Sequence, residues 1–133
     1  MSNLKKKVKF IVEKTNTGFS GYGKSFPVYT TGKNFTELLS NATEALNLFF
    51  EDQDIQVISS DIEFEVDLQQ FFQYYRVLNA KFLAERIGMN EALLSQYVRG
   101  KKKPSSKQTG RILLGIKEIG KELTNIDLFV STK

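Results

Sequence analysis

Apolar positions along the chain change their period once. Val8, Phe10 and Val12 alternate with polar neighbours, the two-residue repeat of a half-buried strand. Thr15-Asn16-Thr17-Gly18 supplies turn chemistry. Residues 18–24 then set Phe19, Gly21 and Gly23 against Ser20, Tyr22 and Lys24, so the two runs predict a hairpin. A β-rich run from Val28 to Thr31 stops at Gly32. Asn34 suits a helix N-cap, with Glu37 three residues on as capping partner. Behind it Phe35, Leu38, Leu39, Ala42, Ala45, Leu46, Phe49 and Phe50 draw one apolar stripe on a helix of about four turns. Glu51, Asp52 and Asp54 end that helix, and DIEFEV (61–66) returns to strand alternation through Ile62, Phe64 and Val66. The order β-β-β-α-β predicts a small sheet with one helix on one face.

After Val66 only helical periods remain, over 67–77, 79–87, 91–99 and 106–123, punctuated by Gly88, Gly100 and Pro104. The expected class is α+β, with a β-β-β-α-β domain over 1–66 and an all-α domain over 67–133. In the last segment Ile112, Ile116, Ile119, Leu123 and Ile126 follow 4, 3, 4, 3 spacing, which closes the helical bundle or forms a homodimer. Gly110, Gly115 and Gly120 argue against one straight helix there.

Composition narrows the chemistry. The 133 residues suffice for one ordinary domain or two very small ones, and 41% hydrophobic with 26% charged content is that of a folded chain. Without cysteine or histidine, disulfides, thiol chemistry, the usual zinc sites and histidine acid–base catalysis are excluded. Glu13, Glu63 and Glu65 do not converge as nuclease carboxylates must, so no catalytic residue, metal or cofactor is expected. No apolar run approaches the roughly 18 residues of a membrane span. The basic start MSNLKKKVKF is followed by no apolar signal core, which predicts a cytoplasmic location and no membrane partner. The net charge of +4 hides an asymmetry: residues 1–66 carry seven basic and nine acidic side chains, and residues 67–133 carry twelve and six. That split points to a polyanion bound by the second half alone, although a solvated lysine surface explains the charge equally well.

GFSGYGKS (18–25) fits the phosphate-binding loop G-x-x-x-x-G-K-[ST] letter for letter. Such a loop needs a helix directly behind it, whose N-terminal N–H groups cradle the phosphates. Here Phe26-Pro27-Val28-Tyr29-Thr30-Thr31 follows, and proline with β-branched residues favours extended chain. Gly18–Ser25 is therefore read as strand and rejected as a nucleotide site.

The segment NAKFLAERIGMNEALLSQYVRGKKKP (79–104) combines several spaced signals. Leu83, Ala84 and Ile87 form the buried side of one short helix, and Gly88 sits where the chain must leave it. Asn90 caps the next helix, which buries Leu94, Tyr97 and Val98 and turns Glu91, Ala92, Ser95, Gln96 and Arg99 outward. Together with the ending Tyr97-x-Arg99-Gly100-Lys101-x-Lys103-Pro104, residues 67–124 resemble the lambda-repressor-like (XRE) helix-turn-helix domains. The resemblance implies that helix 91–99 enters a DNA major groove, with Glu91, Ala92, Ser95 and Gln96 meeting base edges. Asn79, Asn90, Arg99, Lys101 and Lys103 then match backbone-facing positions.

Residues 7–66 resemble the HicB antitoxin domain. KVKFIVEK, GFSGYGKS and TTGKNFTELLSNATEALNLFF carry the likeness, with Gly32, Glu37, Asn41, Glu44, Ala45 and Leu46 at the family's turn and helix positions. One class of HicB proteins continues into an XRE-type domain. The chain departs from the family at SFPVYTTG, where Pro27 is followed by Val28 and no cysteine stands in the turn. The resemblance implies an antitoxin that masks a small RNA-cleaving toxin of the HicA type and, as a dimer, represses its own operon. The acidic residues Glu51, Asp52, Asp54, Asp61, Glu63 and Glu65 suit such a basic partner, although a solvated acidic surface explains them equally well. The alternative is a helix-turn-helix regulator whose first domain senses a small molecule and has no toxin partner.

Overall fold

The computed structural model describes residues 4–126. Strand β1 (Val8–Thr15) turns through Asn16-Thr17 into β2 (Gly18–Gly23), antiparallel, with Thr15 opposite Gly18 and Phe10 opposite Gly23. Strand β3 (Tyr29–Gly32) extends the sheet antiparallel to β2. Helix α1 (Phe35–Phe49) then crosses one face, and β4 (Ile62–Val66) returns parallel to β1 on its other side. The sheet order is β3-β2-β1-β4, so the first strand in sequence is central. Two glycines permit this packing. A Cβ on Gly32 would strike the backbone of Leu38 in α1. Gly18 has φ 153°, and a Cβ there would strike the Gly32 carbonyl.

The expected core stripes meet face to face, except that Phe35 and Phe49, at the two ends of the α1 stripe, are exposed. Val8, Phe10 and Val12 from β1 and Leu38, Ala42 and Leu46 from α1 are all buried. Phe50, Val57 and Ile62 close the cluster with Val8, Phe10, Ala42 and Leu46. Each of the Val, Leu, Ile and Phe side chains contributes roughly 1.5–3 kcal/mol of burial, and the Ala42 methyl less. Asn34 caps α1 as expected, accepting from the Glu37 N–H at 2.8 Å. The Glu37 carboxylate reaches the Lys33 N–H at 3.3 Å, one residue before the cap.

Side-chain amides replace missing strand partners at two places. Asn47 of α1 both donates to and accepts from the backbone of Val57, at 2.9 and 2.8 Å. Beyond Val12, β1 has outrun β4. There Gln70 of α2 (Leu68–Tyr74) accepts from the Lys14 N–H and donates to the Lys14 carbonyl, both at 2.8 Å. Lys14 in turn holds its ammonium 4.9 Å from the Tyr74 ring centroid and 5.3 Å from that of Phe19.

These contacts explain where the chain divides. Its two compact units are Met1–Tyr75 and Arg76–Lys133, so the break falls after α2 rather than at the change of period near Val66. The helix packs on β1 and buries Leu68, Phe71 and Phe72. Its helical period assigns it to neither unit; its amide and aromatic contacts assign it to the first. Redrawn there, the first unit carries seven basic and ten acidic residues, net −3, and the second twelve and five, net +7.

The second unit is helical: α3 (Ala80–Ile87), α4 (Glu91–Val98) and α5 (Ser106–Thr124). Asn79, Asn90 and Ser105 cap their N-termini. The interruption expected in α5 does not occur. Gly115 is buried against α3, where a Cβ would press on Ile87, and no side-chain or distant backbone atom approaches the Cβ positions of Gly110 and Gly120. Ile112 is fully buried and closes the bundle, whereas Leu123 and Ile126 at the far end of the stripe are exposed.

Candidate nucleic-acid interface

The α3–α4 turn follows from three residues. Gly88 leaves α3 with φ 69°, a left-handed conformation that glycine adopts without a Cβ penalty. Met89 is buried, and its N–H reaches back to the Ala84 carbonyl at 2.9 Å. Asn90 restarts the helix, accepting from the Leu93 N–H at 3.0 Å. Ala84 has no exposed surface, which lets the two helices cross closely.

Leu94 and Tyr97 face inward, and the outward side of α4 is polar. Asn90, Glu91, Ala92, Ser95, Gln96 and Arg99 together line one shallow hollow of about 420 Å³. All four residues expected to meet base edges are therefore on one surface, with two of the expected backbone contacts at its rim. Gly100 follows with φ 73°, and the Gln96 carbonyl accepts from the N–H groups of Lys101 (2.9 Å) and Lys102 (3.3 Å). That fold-back ties the basic segment 99–103 to the end of α4.

The remaining expected backbone contacts divide. Lys101 and Lys103 are exposed. Asn79 caps α3, its Oδ1 accepting from the Phe82 N–H at 3.1 Å, so only its Nδ2 group remains as a donor; Asn90 is committed in the same way.

One contact had no periodic signal in the sequence. Arg111 of α5 donates through Nη2 to the carbonyls of Ile87 (3.0 Å) and Gly88 (3.4 Å), and through Nη1 to Gln108 Oε1 (3.0 Å). Nearby, Arg86 pairs with Glu122.

In the first unit the acidic group expected to face a partner splits. Glu63 lies 3.8 Å from Lys9 and Glu65 lies 3.5 Å from Lys24, while Asp61 accepts from the Ile58 N–H at 2.9 Å. Glu51, Asp52 and Asp54 form an exposed turn behind α1. The stretch Gly18–Gly23 is strand, as the sequence predicts, and no helix follows it. The N–H of Gly23 binds the Val28 carbonyl at 2.8 Å and that of Lys24 the Lys9 carbonyl at 2.9 Å, so donors a phosphate would need are spent within the sheet.

Among the described residues no group of three or more Asp, Glu, His or Cys side chains is placed to hold a metal ion, and no helix is long and apolar enough to cross a membrane. No family model, curated protein or solved structure matches the chain.

Proposed function

We propose that the chain is a HicB-type antitoxin with an XRE-type helix-turn-helix domain, which neutralises a basic RNA-cleaving toxin and represses its own operon. One observation carries the DNA half. Glu91, Ala92, Ser95 and Gln96 share the outward face of α4, Arg99 and Lys101 stand at its end, and the unit that bears them has net charge +7. Gln96 is suited to bidentate pairing with adenine N6 and N7, Glu91 to accepting from cytosine N4, and Ala92 to packing on a thymine methyl. Arg99, Lys101 and Lys103 neutralise phosphates and set the register. The toxin half rests on the resemblance of residues 7–66 and on the net charge of −3 in the first unit, which favours a basic partner.

Two measurements test this. A salt-titrated binding assay on the DNA upstream of the gene is expected to show a sequence-preferring complex that weakens steeply with salt. Equal affinity for unrelated duplexes rejects the repressor reading. Co-expression with the protein encoded next to the gene is expected to give a complex and relieve its toxicity. No complex and no relief of toxicity remove the antitoxin, and a sequence-preferring DNA complex then leaves the regulator.

A further inference from the structure

The outward face of α4 works only if the angle between α3 and α4 is held, and that angle is set by three residues of turn. The last carbonyls of α3 have no partner within their own helix. Gly88 and Met89 satisfy two upstream carbonyls by folding back to Glu85 and Ala84. The Ile87 and Gly88 carbonyls are met instead from α5, by the guanidinium of Arg111. One arm of the planar fork, Nη2, reaches both adjacent carbonyls, and the positive charge sits at the negative end of the α3 dipole. Gln108, one turn earlier in α5, accepts from the other arm and fixes the plane of the fork. Gly115 brings α5 close enough for this reach, since a Cβ there would press on Ile87.

We infer that Arg111 is a positioning residue for the DNA-reading helix: it clamps the α3–α4 turn from α5 and thereby fixes how α4 is presented. This rests on the DNA reading of the second unit. Arg111 is exposed and basic, so a direct phosphate contact is the rival role. The two roles differ in salt dependence, because each phosphate neutralised contributes about 0.9 to the slope of log K against log[salt].

The test compares Arg111→Met, which keeps the stem and removes the charge, with Arg111→Lys, which keeps the charge and loses the fork. Both are measured in the full chain, on the upstream duplex across a salt series. Amide hydrogen exchange at Gly88, Met89 and Asn90 is followed without DNA. The clamp predicts that both variants bind about tenfold more weakly, the loss expected for charge-assisted hydrogen bonds. It also predicts that the slope stays at the wild-type value and that exchange at the three turn amides quickens. A slope reduced by about one in Arg111→Met with turn exchange unchanged makes Arg111 a phosphate contact and overturns the inference. Unchanged affinity with unchanged exchange overturns it as well. Should the wild-type chain bind no duplex, the DNA reading fails, and the exchange rates alone decide whether Arg111 holds the turn.

Discussion

In the proposed DNA complex, Gln96 and Lys101, five residues apart, serve different terms of one binding energy. Gln96 is exposed in the middle of the outward face of α4; Lys101 is exposed on the segment that folds back against the Gln96 carbonyl. Gln96→Ala is expected to cost about 1–3 kcal/mol on the preferred duplex and little on an unrelated one, with the salt slope unchanged. Lys101→Ala is expected to weaken all duplexes alike and lower the slope by about one. Paired titrations on two duplexes check both, and an unaltered sequence preference in Gln96→Ala removes the base-reading role from that residue. In the first unit Gln70 is the comparable single residue. Gln70→Leu keeps a side chain of similar size on α2 but leaves the Lys14 N–H and carbonyl unmatched, and is expected to cost about 2 kcal/mol by urea denaturation.

Among the elements, glycines separate close approach from open space. Gly32→Ala drives a Cβ into the Leu38 backbone, which cannot yield as a side chain can, and is expected to lose more than about 2 kcal/mol. At Gly21 the same methyl meets the Leu38 and Phe10 side chains at an ordinary 3.5 Å, so the loss is expected to stay within about 1 kcal/mol. Gly120→Ala, in an open part of α5, is expected to add about 1 kcal/mol through helix propensity. Denaturant midpoints rank the three. The elements were largely legible in the sequence, because period reports burial: the alternation of β1 and the stripe of α1 became the two halves of one core. Allegiance was less legible. Leu68, Phe71 and Phe72 give α2 a helical repeat whichever core it joins, and only the contacts of Gln70 and Tyr74 with the β1–β2 hairpin place it. Nor does alternation in β4 tell that its neighbour is β1, or that the two run parallel. The outward face of α4 was readable from 3.6-residue spacing. The Arg111 clamp, which joins residues 23 and 24 positions apart in different helices, was not.

At the scale of the whole molecule the division after Tyr75 has a direct test. A fragment of residues 1–75 retains α2 and is expected to melt cooperatively. A fragment of residues 1–66 loses Leu68, Phe71 and Phe72, worth roughly 1.5–3 kcal/mol each. Against the 5–15 kcal/mol of a typical small domain, that loss predicts a broad, non-cooperative melt by circular dichroism. A sharp transition in the shorter fragment places the division back at Val66.

The central place of β1 has a consequence for how the chain is made. Its hairpin with β2 is local, which favours early formation, but its other neighbour is encoded far downstream, with Ile62 opposite Val8 and Gln70 beside Lys14. During synthesis the strand that carries Phe10 and Val12 therefore waits with one side unpaired while α1 is laid down. A nascent chain interrupted before Val66 exposes that raw edge and the apolar face behind it, the two features that recruit other chains into aggregates.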